Sequence, residues 1–525
     1  MKMDRFKRET LIAQMKTNET WDAIIVGGGA TGLGIALDCA TRGYKTLLLE
    51  QVDFAKGTSS RSTKLVHGGV RYLAQGNIDL VREALHERGL MMKNAAHLVS
   101  NQSFIIPNYS WWDHFFYTVG LKVYDFLSGN LSFGKSTRIG KKETMARLPT
   151  IETAHLRGGV VYQDGQFDDS RLAVNIAQTA IEQGATLLNH FEVKQLLKND
   201  AGIVNGVVAV DQETNETYQL KSKVVINATG VFTDEVLQMD NPSAKDQIKP
   251  SQGIHLVLDK SFLAGNDAIM IPKTDDGRVL FLVPWHNRVV VGTTDTVLDS
   301  HSLEPRALEA EINFILTTAN RYLNKDVSRD DVLSMYAGLR PLAAPKDDSE
   351  KTKEISRSHK IIVSDSELIT ITGGKWTTYR KMAEDTVNRA IKMNKLPQKE
   401  CRTKDLLIHG SSKPIAESNH LYVYGSDIMG IEALQQEHPE LKERLHERVP
   451  FTKAEVVWAV RHEMARTIDD VLARRVRVLF LDAGAAIAMA PEVAALIAKE
   501  LGRDKQWEAE QVKDFLKIAD HFVCK

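Results

Sequence analysis

The sequence predicts an α/β fold: a parallel-stranded domain assembled from distant segments, a second domain with an antiparallel sheet, and an α-helical C-terminal domain. Three observations predict it. Residues 22–26, Asp-Ala-Ile-Ile-Val, form an apolar run with β-branched members that passes into a glycine-rich turn and then a helical pattern. Two later apolar runs, 223–227 and 368–372, also end in small-residue turns, so one domain is built from segments far apart in the chain. Beyond residue 396 strand-like runs give way to long charged helical patterns.

From the N-terminus, Phe6, Leu11, Ile12 and Met15 lie among charges at helical spacing and predict a short amphipathic helix over residues 5–16. The run 22–26 reads as a strand, and Leu33, Ile35, Ala36, Leu37 and Ala40 as a helix. A second strand over 45–49 ends in Glu50, 18 residues beyond Gly32. Gly27, Gly29 and Gly32 therefore form G-x-G-x-x-G inside a βαβ unit, the Rossmann arrangement for a dinucleotide. The first glycine makes the turn, the second admits a pyrophosphate, the third lets helix and strand pack closely, and the helix N-terminus faces the anion. Glu50 is placed to accept hydrogen bonds from a ribose and would repel the 2′-phosphate of NADP. NAD and FAD both remain open on this spacing.

Residues 191–197 and 203–210 read as strands, and 223–227 as a strand that returns the chain to the nucleotide through Ala228, Thr229 and Gly230. Strands over 254–258, 279–284 and 289–292 belong to the second sheet. The run 368–372 ends in Gly373 and Gly374 ahead of a helix over 375–391. The expected organisation is an N-terminal segment (1–20), a nucleotide domain (21–105, 150–248 and 342–395), a cap domain (106–149 and 249–341) and a helical domain (396–525).

The chain has 525 residues, room for several domains at roughly 100–200 residues each. Its 67 Lys+Arg against 68 Asp+Glu exclude the domain-scale basic excess of a nucleic-acid binder. Three cysteines, Cys39, Cys401 and Cys524, without C-x-x-C spacing predict neither a disulfide framework nor a zinc site, and fit a reducing, cytoplasmic setting. No metal site is expected. Residues 1–21 lack a signal-peptide core. The most apolar later stretch, 483–498, is interrupted by Pro491 and Glu492, short of the ~20 apolar residues of a membrane span.

The neutral total conceals one local excess. Residues 54–78 contain no acid but carry Lys56, Arg61, Lys64 and Arg71, with His67, interleaved with hydroxyls and with Gly68 and Gly69. Such a segment suits phosphate and ribityl oxygens.

Residues 62–73, Ser-Thr-Lys-Leu-Val-His-Gly-Gly-Val-Arg-Tyr-Leu, closely resemble the FAD-dependent glycerol-3-phosphate dehydrogenase family. The resemblance rests equally on 291–295, Val-Gly-Thr-Thr-Asp, on 337–342, Ala-Gly-Leu-Arg-Pro-Leu, and on 372–380, Thr-Gly-Gly-Lys-Trp-Thr-Thr-Tyr-Arg, in the family's order. It continues into 463–475 and covers the chain from about residue 21 to the end.

The resemblance implies a Rossmann-like FAD-binding domain of the glutathione-reductase/D-amino-acid-oxidase type, an antiparallel-sheet substrate domain and an α-helical C-terminal domain. It implies noncovalent FAD, with the ADP half on Gly27, Gly29, Thr31 and Gly32 and Glu50 on the ribose. Ser59, Ser60, Lys64, Leu65, His67 and Gly68 would run along the cofactor, with Val193 near the adenine and Ala228 and Gly230 at the second turn. Gly373, Gly374 and Lys375 would sit at the pyrimidine edge of the isoalloxazine, where a helix N-terminus stabilises negative charge.

It further implies oxidation of sn-glycerol 3-phosphate to dihydroxyacetone phosphate, with electrons passed to a membrane quinone. A dianionic phosphate calls for a planar guanidinium, and Arg71 and Arg340 match the family's positions, with Tyr72, Thr293 and Lys375 close by. His255 is the candidate base, its ordinary pKa near 6.5 suiting the role; Arg340 as stabiliser of an alkoxide is the alternative.

Trp111, Trp112, Phe115, Phe116 and Tyr117, followed by Leu121, Val123, Tyr124, Phe126 and Leu127, read as a buried helix or as a peripheral membrane contact on the inner face of the cell membrane. An oxidase that passes electrons to O2 shares the motifs, and a non-catalytic dinucleotide-binding scaffold is the remote alternative. Arg466, Asp469, Asp470, Arg474 and Arg475 read as ion-paired helix faces, with a homodimer or partner contact left open.

Overall fold

The computed structural model describes residues 3–68, 77–110, 134–275, 277–343, 359–415 and 419–525. Its first sheet runs in the order His359–Val363, Ile369–Gly373, Thr217–Asn227, Trp21–Val26, Thr46–Leu49, Thr186–Leu188. Trp21–Val26 pairs in parallel with Thr46–Leu49 on one side and Thr217–Asn227 on the other. Thr46–Leu49 is wholly buried, as expected of a parallel sheet covered on both faces. Phe191–Lys198 and Val204–Asp211 attach to Thr217–Asn227 as antiparallel strands.

The helix Ala30–Thr41 is buried on almost every side. It packs against Tyr379–Lys392, and Gly34 permits the approach, since a Cβ there would lie 2.9 Å from the Tyr379 ring. The predicted N-terminal helix forms over Arg8–Thr17, with Leu11 and Met15 inward and Arg8 bonded to the Asn189 carbonyl at 2.7 Å and to Asp211 at 2.6 Å.

The second sheet runs Thr296–Val297, Ile248–Asp259, Arg288–Gly292, Leu280–Trp285, Ala268–Ile271, Val99–Asn108, Gly158–Phe167, Leu65–Val66, with Val332–Ala343 paired to Ile248–Asp259 and Thr137–Gly140 to Gly158–Phe167. It is larger than the sequence predicts. Val99–Asn108 and Gly158–Phe167, mostly assigned to the nucleotide domain, pair with each other along ten residues inside this sheet. Their alternation looks the same in either sheet, and only the partner strand decides membership.

The C-terminal domain contains the helices Ile428–Glu437, Lys453–His462, Ala483–Leu501 and Lys505–Ala519. Ala483–Leu501 is capped by Asp482, which accepts from the Ala485 N–H at 2.9 Å, and it continues through Pro491. Among the described residues no helix is long and apolar enough to cross a membrane.

The charges of 463–477 are not a solvated helix face. Arg474 and Arg475 both reach Asp53, at 2.5 and 2.7 Å, Arg171 grips Glu463 at 2.7 Å, and Arg477 bonds Asp169 at 2.9 Å, all buried. The pairs cross from the C-terminal domain into the nucleotide domain. Buried pairs contribute little net stability, but removing one partner strands a charge at about 3–5 kcal/mol. This seam therefore fixes how the C-terminal domain docks. The sequence reading of ion-paired faces holds locally, where Arg474 pairs with Asp469 and Asp470, and is corrected in one respect: the other partners lie hundreds of residues away and the faces are internal.

Candidate active site

Two connected chambers lie between the sheets. The first, of about 210 Å³, is lined by Gly27, Gly29, Thr31, Glu50, Val193 and Gly230 among others. Gly27 has φ +106°, and a Cβ there would press on the Ala228 carbonyl at 2.7 Å; at Gly32 a Cβ would meet the Gly27 carbonyl at 1.9 Å. The turn thus accepts only glycine at both positions. Glu50 accepts from the Gly28 N–H at 2.6 Å and the Val52 N–H at 2.9 Å, while burial lifts its pKa against those two bonds. Ser59 Oγ accepts from Ala30 N–H at 2.9 Å, tying the segment after Phe54 to the helix start.

The second chamber, of about 320 Å³, shares the wall Pro341, Gly373, Gly374, Lys375 and Trp376 with the first. It holds Thr63, Leu65, His67, His255, Thr293 and Arg340. Two paired strands build it. Ser251 lies opposite Arg340, Gly253 opposite Gly338, and His255 opposite Tyr336, so period-2 alternation presents one face of Ile248–Asp259 and Val332–Ala343 to the chamber. The two glycines leave room, since a Cβ on Gly253 would lie 2.3 Å from the Arg340 guanidinium.

Arg340 bonds Asp295 at 3.3 Å, the Thr293 hydroxyl at 3.2 Å and the Thr294 carbonyl at 3.1 Å. Asp295 also accepts from Ser251 Oγ. His255 is buried, its ring stacked on Tyr336 with centroids 4.7 Å apart, and its Nε2 lies 2.9 Å from Thr63 Oγ1. Burial first, then the positive charges of Lys64 and Arg340, hold its pKa well below the ordinary value, so the imidazole is neutral at pH 7. Phe104, Tyr162, Met270, Val279 and Phe281 make an apolar wall on the far side.

The structure brings Gly27, Gly29, Thr31, Glu50, Ser59, Val193, Ala228, Gly230, Gly373, Gly374 and Lys375 to the first chamber, and Leu65, His67, His255, Thr293, Arg340 and Lys375 to the second. Gly32 serves packing behind the turn. Gly68 and Ser60 are buried. Arg71 and Tyr72 lie outside the described residues, as do Trp111, Trp112, Phe115, Phe116, Tyr117 and the residues 121–127. The helix expected from residue 375 begins as a short turn, Trp376–Thr378, and becomes α-helical at Tyr379.

The basic patch is corrected. Lys64 Nζ turns away from both chambers into a fully buried cluster, bonded to Asp169 at 2.8 Å and to the Ser60 carbonyl at 2.7 Å. Lys56 pairs with Asp469 and Glu304, and Arg61 with Glu304 at 2.6 Å. Each of these three charges is paired with an acid over 100 residues away in sequence, which a local count of charge does not detect, while Lys56 still lines the first chamber and Arg61 the second. Sequence reasoning missed Thr63 and Asp295, which lay inside the family's motifs, and Glu311, whose buried carboxylate accepts from Thr294 Oγ1 at 2.8 Å beside Thr293; nothing local marked these contacts.

Residues 22–380 match the family model of FAD dependent oxidoreductases, and 364–508 that of the C-terminal domain of alpha-glycerophosphate oxidase. The chain is 38% identical to the mitochondrial glycerol-3-phosphate dehydrogenase of Schizosaccharomyces pombe, over 97% of this chain and 89% of that protein. The chain belongs to the FAD-dependent glycerol-3-phosphate dehydrogenase family. The rat mitochondrial glycerol-3-phosphate dehydrogenase is 39% identical, over 98% of this chain and 75% of its own length. The solved glycerol-3-phosphate dehydrogenase of Bacillus halodurans, complexed with FAD, superposes with a TM-score of 0.80 at 29% identity, covering 99% of this chain and 98% of that one. The L-alpha-glycerophosphate oxidase of Mycoplasma pneumoniae, at 17% identity and a TM-score of 0.57 over 74% of this chain and 98% of its own, shares the fold.

The cofactor of this glycerol-3-phosphate dehydrogenase family member is FAD, and the first chamber fits it. Gly57 and Gly230 line that chamber where an added Cβ would meet nothing within 4 Å, and at Gly29 it would meet only Ser59 Oγ at 3.2 Å. Side chains are withheld where a dinucleotide must lie against backbone.

Proposed function

We propose that this enzyme oxidises sn-glycerol 3-phosphate at C2 to dihydroxyacetone phosphate and delivers the electrons to a membrane quinone. The observation that carries the reading is the placement of Arg340 and His255 in one chamber that shares its glycine wall with the FAD chamber. Arg340, oriented by Thr293 and Asp295, offers a guanidinium to the phosphate; Thr293 and Lys375 add donors beside it. His255, neutral and buried, takes up the proton of the C2 hydroxyl, a contribution of typically 10²–10⁴-fold. FAD, when bound, supplies the two-electron acceptor. The apolar wall of Phe104, Tyr162, Met270 and Phe281 excludes water from the chamber, and its character supports an apolar electron acceptor.

Anaerobic addition of glycerol 3-phosphate to the FAD-loaded protein should bleach the flavin absorbance, and a soluble quinone should restore it. An unchanged spectrum would refute the substrate. The match of 364–508 to an oxidase domain favours O2 as a second reading. Stoichiometric peroxide on admitting air, with no re-oxidation by quinone, would establish it.

A further inference from the structure

We propose that Thr63 is a catalytic residue, its hydroxyl carrying the proton of the substrate's C2 hydroxyl to His255. The inference rests on the substrate reading above.

Its neighbours fix where Thr63 points. Ser62 donates to Asp169 through its N–H at 3.2 Å and its hydroxyl at 2.6 Å, and Lys64, at φ +65°, sends its ammonium to the same carboxylate at 2.8 Å. Both flanking side chains are thereby drawn into the buried cluster. Thr63 is turned the other way, lines the substrate chamber and is partly exposed there. Its Oγ1 lies 2.9 Å from Nε2 of His255, a residue 2% exposed.

The imidazole is held in a fixed orientation. Tyr336 stacks on one face with an interplanar angle of 18°, and Tyr336 is itself tied by its hydroxyl to the Ser62 carbonyl at 2.9 Å. Gly292 closes the edge, since a Cβ there would lie 2.2 Å from His255 Cδ2. A ring so confined exchanges protons through the group already in contact with it. Thr63 Oγ1 is that group on the Nε2 side, and a hydroxyl that accepts one proton as it gives up another passes charge without bearing it. Burial and the charges of Lys64 and Arg340 keep the imidazole neutral and ready to accept.

The C2 hydroxyl proton moves to Thr63 Oγ1 while that oxygen's own proton moves to His255 Nε2. The O–H electron pair becomes the second C2–O bond, and the C2–H pair leaves as hydride to the FAD. The substrate is oxidised by two electrons, and His255 ends as imidazolium.

The test compares Thr63→Val, which keeps the shape and loses the hydroxyl, with Thr63→Ser, which keeps the hydroxyl. On anaerobic mixing with glycerol 3-phosphate, flavin reduction should slow by about 100-fold in Thr63→Val and by under ~10-fold in Thr63→Ser, the span expected of a lost proton-transfer group. FAD content and calorimetric binding of inorganic phosphate should match wild type in both, placing the loss in the chemical step. Wild-type reduction rates in Thr63→Val would overturn the proposal, as would equal slowing in both variants or loss of FAD from Thr63→Val. A wild-type protein that glycerol 3-phosphate does not reduce would instead refute the substrate reading.

Discussion

At the scale of single residues, the site depends on what a side chain faces. Arg340 and Lys64 are both cations within the family's motifs, yet one lines the second chamber and the other is sealed against Asp169. The difference arises from partners 105 and 45 residues away, Asp169 and Asp295. Gly27 and Gly32 were legible in the sequence because the φ of +106° at Gly27 and the contact of Gly32 with the Gly27 carbonyl are local, although Ala228, from a distant strand, also bars a Cβ at Gly27. His255 was legible as a residue type, whereas its neutrality follows from burial and from Lys64 and Arg340, which come from other strands and turns. Arg340→Ala should raise the KM for glycerol 3-phosphate by about 10–100-fold, the cost of a charge-assisted bond of about 1.5–3 kcal/mol, with FAD content unchanged. Wild-type steady-state kinetics would remove Arg340 from the phosphate site.

At the scale of elements, one buried carboxylate organises the loop that presents Thr293 and Asp295. Glu311, in the helix Glu309–Asn320, accepts from Thr294 Oγ1 at 2.8 Å, Thr296 Oγ1 at 2.7 Å, Gln252 Nε2 at 2.8 Å and the Leu308 N–H at 3.0 Å. Thr294 Oγ1 in turn accepts from the Ile254 N–H at 3.0 Å. The helix start, the loop and the strand bearing His255 are therefore fixed to one another. Glu311→Ala should free the loop and raise the KM by about 10-fold, since unmade buried bonds cost about 1–3 kcal/mol, with a smaller change in kcat and an unaltered far-UV spectrum. A variant that loses thermal stability yet keeps its KM would show that Glu311 serves the fold alone. Sequence periodicity located one strand of the chamber in part, as 254–258, and did not mark Val332–Ala343; the register that sets His255 opposite Tyr336 and Ser251 opposite Arg340 is a property of the pair.

At the scale of the whole molecule, the C-terminal domain shares an apolar core with the nucleotide domain, including Leu421, Tyr424 and Trp458, and buried charge pairs fix its orientation there. Besides the buried seam at Asp53, His409 spans the two, with Nδ1 3.0 Å from Glu182 and Nε2 2.9 Å from Asp427. Burial opposes its charge, but the bonds to Asp427 and Glu182 prevail and push its pKa up to about 9. A raised pKa gives stability that is complete below the unfolded value near 6.5 and is lost as pH rises through about 9. His409→Gln should therefore lower stability by about 1–2 kcal/mol at pH 6 and have little effect at pH 9.5 or above, measured by thermal unfolding. Equal destabilisation at both pH values would show that the charge of His409 is irrelevant.

The sequence by itself determined the α/β class, a glycine turn for a dinucleotide, the family through its motifs and FAD with it, and a minority of the residues around the two chambers. These follow from short-range rules: periodicity, turn geometry and motif order act within a few residues. Tertiary structure alone decided that Val99–Asn108 and Gly158–Phe167 join the second sheet, that Lys56, Arg61 and Lys64 are neutralised, and that Thr63 touches His255. Each of these depends on a partner brought near by folding, and the strength of a charge or hydrogen bond is set by distance and burial in space, which separation along the chain does not encode.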